Sequence, residues 1–173
     1  MAIKTSARSY TGGMTLLRMD NVLIVVEDLD AAVAFFIELG MELEGRMELE
    51  GEWVDRVIGI DGAKDEIATL KTPDGHSRLE LTQFERPAAV GPNPRDLPTN
   101  ALGYRRIMFA VDDLDDTLAR LRPHGAELVR DVVEYEGLYR LCFVHGPSGI
   151  IIGLAEPLKE VQPDLFEDFA AET

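Results

Sequence analysis

The chain has 173 residues, 46% of them hydrophobic and 28% charged, which suffices for one packed core and is short for two independent domains. Its 32 Asp and Glu outnumber 17 Lys and Arg, and the formal net charge of −15 repels nucleic-acid phosphates and anionic lipid headgroups. The apolar runs are strand-sized, far short of the roughly 20 residues of a membrane helix. We therefore expect neither nucleic acid nor a membrane as a partner.

The N-terminal residues and the cysteine content carry two further expectations. Residues 1–15 contain no apolar stretch of the kind found in secretory signals, so we expect a cytoplasmic location. Cys142 is the only cysteine, which excludes an internal disulfide and any thiolate metal cluster. Its apolar neighbours predict a buried thiol.

The first half of the chain predicts a strand, a helix and three more strands. Residues 16–26 are rich in Val, Ile and Leu, as is typical of a strand. Asp28 is a good N-cap for a helix whose apolar residues recur at helical spacing, and Gly40 supplies the left-handed position that ends it. Three strands are predicted near 41–48, 65–71 and 77–84, with a Pro-Asp-Gly turn joining the last two.

This unit occurs twice. Residues 106–115 repeat the pattern of 21–30, an apolar strand followed by an acidic-Asp-Leu-Asp turn, at an offset of 85 residues, the difference between 106 and 21. The same offset pairs Gly40 with Gly125. The second copy predicts a strand, a helix and three strands, near 104–111, 113–122, 126–133, 138–144 and 149–155.

The remaining segments connect or flank these copies. We predict a first module at 16–84, a proline-rich linker at 85–101 and a second module at 102–156, all within one domain of residues 16–156. Residues 1–15 form an N-terminal arm. The acidic tail at 157–173 has apolar residues at helical spacing, enough for one short docked helix.

The sequence at this point resembles a known family. The strand, the Val-x-Asp-Leu-Asp turn, the helix ending in Leu-Gly and the later strand with Glu-Leu are similar to the vicinal-oxygen-chelate superfamily, which includes glyoxalases, bleomycin-resistance proteins and extradiol dioxygenases. The resemblance implies an α+β fold of two tandem βαβββ modules whose curved mixed sheets enclose one cleft. It also implies four metal-ligand positions, one on the first and one on the last strand of each module.

Only one of those four positions keeps a strong ligand. Asn21 and Arg106 stand where the family usually has His, Gly153 stands where a Glu is expected, and Glu80 alone is retained. Asn offers a weak neutral carbonyl, Arg an obligate cation and Gly no side chain, whereas catalytic metal sites keep about three protein ligands. We therefore predict no metal and no cofactor. The three histidines lie scattered in turns and are expected to be solvated.

Alternation along the strands predicts what else faces the cleft. Leu23 should face it with Asn21, Thr82 with Glu80, and Met108 with Arg106. Gly153 should leave space that enlarges the cavity, and Trp53 and Tyr139 could add aromatic cover. A largely apolar floor with a few polar groups is typical of a pocket for a small, partly apolar organic ligand.

Three functions remain open for this pocket. The first is a metal-independent small-molecule-binding protein of the glyoxalase/bleomycin-resistance type. The alternative is a lyase or isomerase of the glyoxalase type, with Glu80 as general base and Arg106 stabilising an enolate. An extradiol dioxygenase fits least, because its two His and one Glu are missing. Arg106 either anchors a ligand or forms a structural ion pair with Glu80. Exposed sheet edges and the N-terminal arm favour a homodimer.

Overall fold

The structure is a computed structural model that describes residues 19–158 except Asn93 and Arg105. The predicted N-terminal arm and nearly all of the predicted tail helix lie outside the described residues. The described chain folds into two mixed β-sheets with three α-helices, and no helix in it is long and apolar enough to cross a membrane.

The first module forms a four-stranded sheet in the order β1-β4-β3-β2, in which β1 and β4 run parallel and the other pairs antiparallel. Its elements are β1 (Val22–Val25), α1 (Leu29–Leu39), β2 (Glu42–Glu50), α2 (Glu52–Ile58), β3 (Lys64–Lys71) and β4 (Arg78–Arg86). The predicted caps are confirmed: the Ala31 amide donates to the Asp28 carboxylate at 2.9 Å, and Gly40 ends α1 with φ 115°.

The second module repeats this order as β5-β9-β8-β6, with β7 also paired to β8. Its elements are β5 (Arg106–Ala110), α3 (Leu114–Leu121), β6 (Glu127–Leu128), β7 (Val133–Tyr135), β8 (Tyr139–His145) and β9 (Ile151–Pro157). Asp113 caps α3 as Asp28 caps α1, accepting from the Asp116 amide at 2.8 Å. The prediction of two tandem βαβββ modules is therefore confirmed.

Two local elements differ from the sequence prediction. Helix α2 was not predicted, because its seven residues, about two turns, are too few for a clear period. Gly51, at φ 116°, ends β2 just before it. The strand predicted at 126–133 is instead split into β6 and β7. Leu128 and Val133 are five positions apart, whereas their partners Val144 and Leu141 are only three positions apart, so two extra residues interrupt the pairing.

The two modules share one hydrophobic core. Phe36 of α1 lies against Phe109 of β5, with ring centroids 6.3 Å apart, so the first helix packs on the second sheet as well as on its own. Outside the core, the Glu27 amide donates to the Ser148 hydroxyl at 2.9 Å. Cys142 is buried in this core as predicted, and burial raises the pKa of its thiol to about 11.

The linker packs against the final turn of the second module. Its short 3₁₀ turn, Pro94–Asp96, contacts the turn at Pro147–Gly149. Gly149 has φ 74°, and a Cβ added to it would lie 2.5 Å from the backbone nitrogen of Arg95. Only glycine fits there, because both the backbone conformation and the close approach exclude a side chain.

Candidate functional site

Each sheet has one face against the helices and an opposite face that we call the outer face. In the first module Val22 and Ile24 pack toward the core, so Leu23 and Val25 lie on the outer face. The β1–β4 register sets Leu23 beside Glu80 and Val25 beside Thr82. The alternation expected from the sequence thus places Leu23, Glu80 and Thr82 on one surface.

Asn21 and Glu80 form the polar centre of this outer face. The side-chain amide of Asn21 donates to the Glu80 carboxylate at 2.9 Å. The nitrogen of the amide therefore points toward the one carboxylate of the site. An arrangement in which Asn21 donates to Glu80 differs from two ligands that share a metal ion, where both would present oxygens to the same point.

Arg106 occupies the equivalent position of the second module in a different environment. Its guanidinium lies over the ring of Phe143, 4.9 Å from the centroid, and the residue is exposed. Among residues 19–158 that the structure describes, no carboxylate lies within 4.0 Å of this guanidinium. The ion pair with Glu80, one of the two alternatives that the sequence left open for Arg106, is therefore not formed, because Glu80 binds Asn21 and Arg106 stacks on Phe143.

Gly153 does not enlarge a cavity, contrary to the expectation from the sequence. It is paired directly with Met108 across β5 and β9, and a Cβ built on it would lie 2.0 Å from the Met108 sulfur. The flexible thioether fills the space that the missing side chain leaves. The sequence could not show this, because the filling side chain comes from another strand.

The two predicted aromatic residues lie in contrasting settings. Trp53 is on the unpredicted helix α2 and is 61% exposed, whereas Tyr139 begins β8 and is 3% exposed. Neither lines the groove that the structure forms between the modules. Their contribution to a ligand site stays a prediction.

A groove of about 470 Å³, the intermodule groove, lies between the free edges of β1 and β5. Of the predicted site residues it brings together Leu23 and Arg106 but not Asn21, Glu80 or Thr82. Its other walls were not predicted. They come from the linker and from two loops, through Val90, Pro92, Leu97, Tyr104, Ser148 and Ile150. The apolar residues between the linker prolines are the only local signal that this segment packs onto the protein.

The outer face of the first module also holds a buried carboxylate that the sequence reasoning missed. Asp65 on β3 is 6% exposed, and its Oδ1 atom is buried and has no hydrogen-bond partner among the residues that the structure describes. The hydroxyl of Thr82 on β4 is in the same state, and that residue is 1% exposed. Burial raises the pKa of the Asp65 carboxyl above its usual range.

The four family positions do not fit a divalent metal. They supply one carboxylate, an amide nitrogen that donates to it, a guanidinium and a glycine. Within the described part of the chain, no three His, Cys, Asp or Glu side chains converge on one point. His76 and His124 are exposed as expected, but the prediction was wrong for His145, which ends β8, is half-buried and has no hydrogen-bond partner for Nδ1 among the described residues.

Comparisons of the sequence and of the fold with known proteins both identify one family. The sequence model described as the Glyoxalase/Bleomycin resistance protein/Dioxygenase superfamily matches residues 18–154. A crystal structure of a glyoxalase family protein from Bacillus cereus is 53% identical, covers 87% of this chain and 100% of its own, and superposes with a TM-score of 0.82.

Two further relatives are more distant. The Escherichia coli K12 protein YaeR, described as uncharacterised, is 25% identical over 142 residues, which are 82% of this chain and 97% of YaeR. The trypanothione-dependent glyoxalase I of Leishmania major is 23% identical, covers 90% of this chain and 94% of its own, and has a TM-score of 0.58. The second likeness is one of fold alone.

Proposed function

We propose that this chain, which belongs to the glyoxalase/bleomycin resistance protein/dioxygenase superfamily, is a metal-independent protein that binds a small organic molecule in the cleft between its modules. The family assignment confirms the resemblance read from the sequence. The observation that carries the proposal is the donor set: of the four family positions, only Glu80 offers a strong metal ligand, and it accepts from Asn21.

The intermodule groove supports a partly apolar ligand. Its walls are mostly aliphatic side chains from β1, β5 and the linker, and Arg106 is the guanidinium among them. Pockets for small molecules combine an apolar lining with a few polar groups that set orientation. Since no protein carboxylate within the described chain pairs with Arg106, its donors are available for a carboxylate or enolate on the ligand.

Metal content is the first test of this proposal. Protein purified without chelators is expected to carry less than about 0.1 equivalent of zinc, nickel, manganese or iron, because one carboxylate does not compete with water for such an ion. Elemental analysis by plasma mass spectrometry measures this. One equivalent of metal that is lost in Glu80→Gln but retained in a matched Glu42→Gln surface variant would overturn metal independence.

Ligand binding is the second test. Thermal-shift and calorimetric screening with aromatic carboxylates should show binding that weakens about tenfold or more in Arg106→Met, because the anchoring cation is lost while the stem remains. Arg95, an exposed arginine paired with Glu127, supplies the control variant Arg95→Met. Turnover of glutathione hemithioacetals that depends on Glu80 would instead establish the lyase or isomerase and overturn the binding function.

The proposal also includes a cytoplasmic location and a homodimer. Apolar side chains on and beside the outer face of the first module, away from the intermodule groove, are exposed in the single chain, among them Met47 and Trp53. An exposed apolar surface of this kind is typical of an interface. Sedimentation equilibrium measures the mass in solution, and a monomer at micromolar concentration would remove the dimer from the proposal.

A further inference from the structure

The outer face of the first module contains two polar groups that the fold leaves without partners. The Asp65 Oδ1 and Thr82 Oγ1 atoms are both buried and accept or donate no hydrogen bond within the described chain. A buried polar group without a partner costs free energy, so such groups are rare unless a ligand or water completes them. Two of them on neighbouring strands of one sheet face therefore need an explanation.

Strand register places these two groups together. Thr82 lies opposite Ile67, and Asp65, two residues before Ile67 on the same strand, lies opposite Phe84. All four side chains are on the outer face, because their neighbours Ala68 and Leu81 point into the core. Directly opposed and diagonal residues of an antiparallel pair lie roughly 5 to 8 Å apart, which one small ligand group can bridge.

The surroundings of Asp65 are apolar on both sides. Leu49 of β2 is its partner on one side and Phe84 of β4 on the other. Two hydrophobic neighbours remove water from the carboxyl without replacing its hydrogen bonds, which is why burial raises its pKa. By contrast, Lys64, the preceding residue, pairs with Glu85 at 2.5 Å. The lysine nearest to Asp65 in sequence is therefore paired with another carboxylate.

The subsite is continuous with the proposed binding cleft. Val25 lines the intermodule groove, and Thr82 is its partner on β4, one strand spacing or about 4.8 Å further into the sheet. Asp65 lies on the next strand, β3. A ligand that reaches from Arg106 to Asp65 therefore crosses β1 and β4 and has to open the packing over Thr82, which is 1% exposed, to contact its hydroxyl.

We infer that Asp65, Thr82 and Phe84 form a subsite on the outer face of the first module that receives an organic ammonium group of the ligand. A carboxylate supplies the counter-charge, a hydroxyl supplies a neutral acceptor, and the face or edge of a neighbouring phenyl ring adds apolar cover. The chain's net charge of −15 favours the approach of cations over anions. This inference rests on the proposed function and specifies one end of the ligand.

The test uses n-butylammonium chloride as the probe, with 1-butanol and sodium butyrate at equal concentration as controls. In methyl-labelled protein, butylammonium should shift the Thr82 and Ile67 methyl resonances in a saturable way, butanol should shift them at least tenfold less, and butyrate should not. Butyrate is expected to shift residues around Arg106 instead. The butyrate measurement therefore tests Arg106 as the proposed binding residue for an anion, independently of the ammonium subsite.

Two variants and a matched control complete the experiment. Asp65→Asn should weaken butylammonium binding at least tenfold, and Thr82→Val several-fold, both without changing the butyrate response. Thr69→Val makes the same substitution on the same sheet face beside Glu80, where Thr69 is half-buried, and should leave butylammonium binding unchanged. Titrating the Asp65 carboxyl resonance with butylammonium present should show a lower pKa than without it.

The inference is overturned if butylammonium shifts Thr82 and Ile67 no more than sodium chloride does at equal ionic strength. It is also overturned if Asp65→Asn binds the probe as tightly as the wild type. Either result leaves the butyrate response at Arg106 intact if the proposed function is correct. Loss of the butyrate response alone would instead defeat the anion anchor and retain the ammonium subsite.

Discussion

The outer faces of the two modules carry different chemistry on the same backbone pattern. In the first module Asn21 and Glu80 are joined by a hydrogen bond, and the Asp65 Oδ1 and Thr82 Oγ1 atoms have no partner in the described part of the chain. In the second, Arg106 lies over Phe143, and Met108 fills the space beside Gly153. The repeat therefore preserves which positions face outward. The side chains at those positions decide whether a face presents polar groups to a ligand, holds a cation over an aromatic ring or is filled by a neighbouring side chain.

The final turns of the modules show the same contrast in packing. Gly75, in the turn between β3 and β4, and Gly149, in the turn between β8 and β9, have nearly equal φ angles of 72° and 74°. No atom of the described residues lies within 4 Å of a Cβ added at Gly75, whereas one added at Gly149 meets the linker backbone at Arg95. The second turn is thus a packing element, and the first is a solvent-exposed connection.

The largest expected effect tests this difference between the turns. Gly149→Ala should destabilise the protein by about 2 to 4 kcal/mol, because the cost of a left-handed backbone at alanine adds to the clash of its Cβ with the Arg95 backbone. Gly75→Ala should cost only the strain, about 1 kcal/mol. Urea unfolding followed by circular dichroism measures both. Equal losses would show that the linker does not pack on the second turn as described.

The second prediction concerns the unpartnered hydroxyl of the first module. Thr82→Val should raise the free energy of unfolding by about 1 to 2 kcal/mol in the absence of ligand, because it removes a buried polar atom that has no hydrogen bond. Thr69→Val, on the same face, is the control and should change stability by less than about 0.5 kcal/mol. Destabilisation by Thr82→Val comparable to a core cavity would mean that the hydroxyl has a partner in solution.

The third prediction is a pH dependence with a definite sign. Burial raises the pKa of Asp65 in the folded state, so the folded protein holds that proton more tightly than the unfolded chain. The associated stabilisation is present below the ordinary Asp pKa of about 3.9 and is lost as the pH rises through the raised folded value. Asp65→Asn should therefore gain stability relative to wild type as the pH increases.

Other carboxyl groups change the stability with pH in the opposite direction, which provides an internal control. A hydrogen bond from Arg140 lowers the pKa of Asp115, and one from Arg78 lowers that of Glu44. Stability from these groups is present above their unfolded pKa and lost as the pH falls through the lowered folded value. Urea midpoints of wild type, Asp65→Asn and Asp115→Asn between about pH 2.5 and pH 8 separate the two signs, because the Asp115 contribution is lost below the ordinary Asp pKa of about 3.9. A difference between Asp65→Asn and wild type that does not vary with pH would contradict the burial of a titrating Asp65.

The smallest expected effect concerns Arg106 and Glu80, the two charged residues at the family positions. Arg106→Met should cost no more than about 1 kcal/mol, the range of an exposed cation–π contact, because no buried ion pair is broken. Combined with Glu80→Gln in a double-mutant cycle, the coupling energy should be below about 0.5 kcal/mol. A coupling above about 1.5 kcal/mol would establish that the two charges meet in solution after all.

Local patterns were sufficient to predict the repeat and the direction of its side chains. Asp28 and Asp113 cap their helices because the cap is made within three residues, and strand alternation, with its fixed period, places Leu23 on the face of Asn21 and Thr82 on the face of Glu80. These features depend on neighbours that are close in sequence. The expectation that Asn21 and Glu80 share one cleft came instead from the resemblance to the family.

Tertiary packing alone decided the rest of the site. Met108 closes the space beside Gly153, the linker forms one wall of the intermodule groove, and Leu49 and Phe84 bury Asp65. Each of these outcomes depends on a side chain from another strand or loop, whose rotamer and distance no local period encodes. The sequence by itself determined which residues face outward, and the packing of distant segments determined which of them are filled, paired or left without partners.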